Sequence, residues 1–117
     1  EIARIQLYDL TKLTKIFNSN EQLVHKMVSM FCSDTPTTLQ EMQSAYDSGN
    51  LERVSALAHK LKSSIDMLDI ESLKQVVRDM EKWQHEDVAN SAEIMRAFND
   101  TCLEVIEDLR QNFELKV

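Results

Sequence analysis

LERVSALAHKLKSSIDML, residues 51–68, decides the fold. Its apolar residues Leu51, Val54, Ala58, Leu61, Ile65 and Leu68 are spaced 3, 4, 3, 4 and 3 apart. A helix turns by ~100° per residue, so this spacing holds all six on one stripe, the seam that a bundle helix shows its neighbours. Asn50 stands just before the stretch as a predicted N-cap. Gly49 suits the left-handed position that closes the helix before it.

The helical period continues on both sides. Beyond Leu68, Asp69 tolerates a turn and can cap the next helix. Leu73, Val76, Val77 and Met80 mark that helix, which fades around Gln84-His85-Glu86-Asp87. Asn90 with Glu93 reads as a capping box for a last helix carrying Ile94, Phe98, Cys102, Val105 and Leu109. Toward the N-terminus, Asp9 is a predicted cap for a short helix with Leu10, Leu13 and Phe17. Ser19 with Gln22 reads as a capping box, opening a helix with Leu23, Met27, Met30 and Phe31 on one face. Leu39, Met42 and Tyr46 fall off that face. The period therefore predicts either a kink near Asp34-Thr35-Pro36 or a new helix with Pro36 in its first turn. Short connections favour antiparallel neighbours. The expectation is an all-α single domain over residues 1–117, with its core at about 8–113. Its architecture would be an antiparallel up-down-up-down four-helix bundle with a short N-terminal extra helix.

Composition supports this reading by exclusion. One glycine and one proline in 117 residues cannot punctuate an all-β fold, nor build a glycine-rich nucleotide loop. The 43% hydrophobic content suits one modest core. Thirteen Lys and Arg against twenty Asp and Glu leave a net charge of -7. That sign argues against nucleic acid and against direct contact with anionic membrane surfaces. No apolar run approaches the roughly 18 residues of a membrane span, and no signal sequence opens the chain. Cys32 and Cys102 have no metal-ligand spacing and read as buried free thiols in a reducing compartment. The start at Glu1 rather than Met suggests a domain cut from a longer protein.

Catalytic motifs are absent, and Glu86-Asp87 and Glu107-Asp108 read as solvated helix charges. Three histidines remain. His25 and His85 read as ordinary surface residues. His59 lies nearly opposite Leu61 on the wheel and faces solvent, midway along the most regular helix. Ser55, Lys62, Ser63 and Asp66 share that outward face. An exposed imidazole between small residues, with a cation three positions on, suits attack on a phosphoryl group and offset of charge on its oxygens. On these residues alone, a solvated surface histidine is the plainer reading, and it carries more weight.

The segment Ala58-His59-Lys60-Leu61-Lys62-Ser63-Ser64, continuing to Leu68-Asp69-Ile70, resembles the motif of the histidine-containing phosphotransfer (HPt) domain. Leu10, Leu13, Phe31, Asp47-Ser48-Gly49-Asn50 and Met80-Glu81 also stand where that family's pattern has similar residues. The resemblance spans roughly Tyr8 to Phe113. It implies a phosphorelay intermediate that accepts a phosphoryl group from a receiver-domain aspartate and passes it to another receiver. By the same resemblance His59 would be the phosphorylated nucleophile and Lys62 the phosphate-stabilising cation. Ser55, Lys60, Ser63 and Asp66 would dock the receiver. The domain itself would bind no ATP, metal or other cofactor, the metal ion belonging to the partner receiver. It would be a phosphoryl carrier rather than an enzyme, and a monomer in isolation. Its expected location is the cytoplasm, as the C-terminal part of a membrane-bound bacterial hybrid sensor kinase or as a free-standing relay protein.

Two positions depart from the pattern. Ser63 and Asp69 stand where the family usually has glycines. Serine adds little bulk beside the imidazole, whereas Asp69 puts a charge near the docking face and strain at a helix end. The alternative from another class is a helical adaptor that docks receivers without carrying phosphate. A metal protein or self-sufficient enzyme using His25, His59 and His85 is the third reading; those residues fall on different predicted helices.

Overall fold

The computed structural model describes residues 7–83 and 89–113. They form five helices: α1 (Thr11–Ile16), α2 (Glu21–Asp47), α3 (Leu51–Met67), α4 (Glu71–Glu81) and α5 (Ser91–Phe113). No strand occurs among the described residues. α3 packs on α2 and α4, α5 also packs on α2 and α4, and α1 lies on α2. The four longer helices thus surround one apolar core. No helix among the described residues is long and apolar enough to cross a membrane.

α3 follows its period closely. Val54, Leu57, Ala58, Leu61 and Ile65 are buried, with Leu68 buried just beyond the helix. Gly49 has φ +76°, and the Asn50 side chain accepts from the Arg53 N–H at 3.1 Å. The turn and cap are as the residues predict.

α2 differs from its expected reading. Leu23 and Met30 are 42% and 48% exposed, while Val24, Val28, Phe31, Thr35, Thr38, Met42 and Ala45 are buried. The true stripe is displaced by about one residue, and it includes two threonines that a hydropathy reading passes over. Its spacing of 4, 3, 4, 3, 4 and 3 runs through Pro36 unbroken, so α2 is one helix with no second helix starting there. Its cap is Asn20 rather than Ser19: the Asn20 side chain accepts from the N–H groups of Gln22 and Leu23. Ser19 instead adopts φ +60° as part of the turn.

Proline inside a helix has no N–H for the carbonyl four residues back, here that of Cys32. Arg110 on α5 supplies a donor instead, with Nη2 3.2 Å from the Cys32 oxygen. The vacancy in α2 becomes a tie to α5.

At the other helix ends, the Asp9 carboxylate accepts from the Thr11 N–H and hydroxyl at the start of α1, close to its predicted capping role. Asp69 takes the turn as expected, at φ +47°, but does not cap α4. The cap position falls on Ile70, one residue on, and the Asp69 carboxylate instead meets Lys74 at 2.7 Å and Lys12 at 3.4 Å through one oxygen. Cys32 and Cys102 are both free and buried. Burial pushes the Cys102 thiol up to about 12.

Candidate functional site

His59 lies midway along α3 on the side turned from the core, with its side chain 74% exposed. Glu81, the last residue of α4, reaches it: the Glu81 carboxylate oxygen Oε1 is 2.5 Å from His59 Nδ1. Lys62, one turn along α3, brings its ammonium within 3.1 Å of both Glu81 oxygens. The Ser55 hydroxyl donates to the Glu81 backbone carbonyl. Three side chains of α3 therefore converge on one residue of α4. The core stripe of α3 makes this possible, because it seats the helix against α4 and leaves this edge at the junction.

The electrostatics of Glu81 come from these contacts. Partial burial favours the neutral acid, but hydrogen bonds from Lys62 and His59 outweigh it and hold the carboxyl below its usual range. An ionised carboxylate only accepts, so Nδ1 carries the hydrogen in this pair. In the neutral ring, Nε2 is then left with its lone pair on the open edge. A histidine oriented in this way is a nitrogen nucleophile that needs no further base.

The other residues of the outward face divide into two groups. Asp66 turns to α4, where Arg78 Nη2 meets its carboxylate at 2.6 Å. That hydrogen bond outweighs partial desolvation and holds the Asp66 carboxyl low. Ser63 is exposed, and Lys60 leans the other way, toward α2. There it borders a groove of about 150 Å³ between α1, α2 and α3, lined by Leu13, Met27, Met30 and Met67 among others. Neither Lys60 nor Ser63 makes a side-chain hydrogen bond to another described residue. His25 is exposed on α2 and meets the Phe113 ring edge-on, with centroids 6.0 Å apart. His85 lies outside the described residues. Among the described residues, no group of three or more His, Cys, Asp and Glu could hold a metal ion.

The family model of the Hpt domain matches residues 26–112, which include α3, α4 and almost all of α5. The chain belongs to the Hpt domain family. No curated protein and no solved structure matches it. Hpt domains are phosphotransfer modules of phosphorelays, which interact with receiver domains and act as phosphocarriers rather than catalysts. The match encloses His59, Lys62 and Glu81 together.

Glu81 is the residue that sequence reasoning missed as part of the site. The Met80-Glu81 pair was visible as a point of family resemblance. Nothing in the period of α4 says that its final side chain meets α3, because that contact depends on how the two helices cross.

Proposed function

We propose that His59 is the phosphorylated residue of this Hpt domain, accepting a phosphoryl group from a receiver-domain aspartate through Nε2 and passing it to a second receiver. The observation that carries this reading is the exposed imidazole whose Nδ1 is engaged by Glu81, which leaves Nε2 as the outward nucleophile. Lys62 stands close enough to swing from Glu81 to a phosphoryl oxygen and offset its charge. Lys60, Ser63, Ser55 and Asp66 surround the histidine as the docking face. The apolar groove beside Lys60 and the exposed side chain of Met30 extend that face toward α2.

In this reading the receiver contributes its acidic pocket and metal ion, and the Hpt domain contributes nucleophile and shape. The three-residue turns before α3 and α4 favour an antiparallel up-down-up-down course for the four longer helices. The domain works as a monomer in the cytoplasm, within a hybrid sensor kinase or alone.

Intact-mass spectrometry at mildly alkaline pH, after mixing with phosphorylated receivers, tests the proposal. The wild type should gain one acid-labile phosphoryl group and His59→Gln none. Binding of receivers without any mass gain would replace this reading with that of a docking adaptor.

A further inference from the structure

The contact between His59 and Glu81 has a chemical consequence for the loaded state, which rests on the reading of His59 as the phosphoryl acceptor. In the free domain, Nδ1 keeps its hydrogen toward the Glu81 carboxylate. Attack by Nε2 forms the N–P bond with the ring's lone pair. The P–O bond to the donor aspartate breaks, its electron pair going to the aspartate oxygen. The ring acquires a positive charge, and the Nδ1 hydrogen has no reason to leave, because an anionic acceptor holds it.

We propose that Glu81 is a positioning residue that keeps the phosphorylated His59 ring as an imidazolium, so that the phosphoryl group enters and leaves with no proton crossing the site. In the outward step the N–P bond breaks and its electron pair returns to Nε2. The leaving group is then a neutral imidazole. If Nδ1 lost its hydrogen in the loaded state, the leaving group would be an imidazolate anion, a far poorer one. The carboxylate also discourages that loss directly, since a bare Nδ1 lone pair would face the Glu81 oxygen at 2.5 Å.

The other charges around the ring fit this assignment. From α4, Glu81 is the group in contact, with Arg78 behind it and itself tied to Asp66. From α3, Lys62 is bound to Glu81, while Lys60 leans away toward α2, where Asp34 lines the same groove. Glu81 is therefore the one carboxylate in contact with the imidazole among the described residues. Its two oxygens are shared between His59 and Lys62. When Lys62 turns to the phosphoryl oxygens, the whole carboxylate charge is left to the imidazolium.

Phosphoramidate, a small phosphoryl donor, loads histidines without a receiver and so isolates this inference from the choice of partner. Phosphorus and nitrogen NMR on the loaded wild type and on Glu81→Gln, tracked across pH, should show the ring of the variant losing its Nδ1 hydrogen about one pH unit or more lower. Glutamine preserves the shape and an accepting oxygen but removes the charge. In the unloaded protein the same spectra should report the Nδ1–H tautomer of His59. Identical titrations of the loaded wild type and variant would overturn the inference while leaving His59 as the acceptor. Loading that leaves His59 unmodified while other histidines react would remove both.

Discussion

Arg110 on α5 donates to the carbonyl of Cys32 on α2, four residues before Pro36. The guanidinium occupies the place of the backbone N–H that proline lacks. Removing it strands a buried carbonyl, whereas restoring the N–H makes it redundant. Arg110→Ala should therefore cost about 1–3 kcal/mol in urea unfolding. In a Pro36→Ala background the same change should cost clearly less. Equal losses in both backgrounds would show that Arg110 stabilises the bundle by some other contact.

The two faces of α3 should respond oppositely to truncation. Leu61 is 5% exposed, and Leu61→Ala should lose about 2–5 kcal/mol as a core cavity opens. His59→Gln removes an exposed ring and should change stability by less than about 1 kcal/mol. Thermal and urea melts of the two variants side by side check the helical phase directly.

Lys62→Ala should leave a folded domain, since its side chain is partly exposed and its partner Glu81 retains His59. Acceptance of the phosphoryl group should slow, or the loaded form should decay faster, by about tenfold or more. Acceptance and decay rates both equal to wild type would take Lys62 out of the site.

Acid should loosen the junction of α3 and α4. The Asp66 and Asp69 carboxyls are held below their ordinary value of 3.8, by hydrogen bonds from Arg78 and Lys74 respectively. A carboxyl lowered on folding contributes stability that is present above its unfolded value and lost as pH falls through the folded one. Stability should thus decline as pH drops below about 4. Asp66→Asn should be less stable than wild type at neutral pH and show a shallower decline in acid. Parallel declines in urea midpoints from pH 7 to 3 would exclude Asp66 as a contributor.

Legibility from the sequence varied with the chemistry of each helix. α3 was plain because its inward positions are all aliphatic. The Asn50 cap and the Gly49 turn were plain because few residue types suit those backbone positions. α2 misled because Leu23 and Met30 form a conspicuous stripe on its exposed side, while Thr35 and Thr38 lie inside. A shift of one residue turns a helix by ~100°, enough to make a continuous seam look broken at Pro36. His59 and Lys62 stand out as candidates once the resemblance is added to their spacing. The role of Glu81 was not legible, because a contact between residues 22 apart depends on the crossing of two helices.

The outward face of α3 also divides by what each residue is free to do. Ser55, His59, Lys62 and Asp66 are all bonded to α4, so each is one of several ties between the two helices. Lys60 and Ser63 are bound to no other described side chain. If that face docks receivers as proposed, substitutions at those two positions alter which partner fits while His59 and its ties to α4 stay as they are. Drift in partner choice among descendants of this chain therefore has its least costly route through Lys60 and Ser63, both beside an unchanged His59.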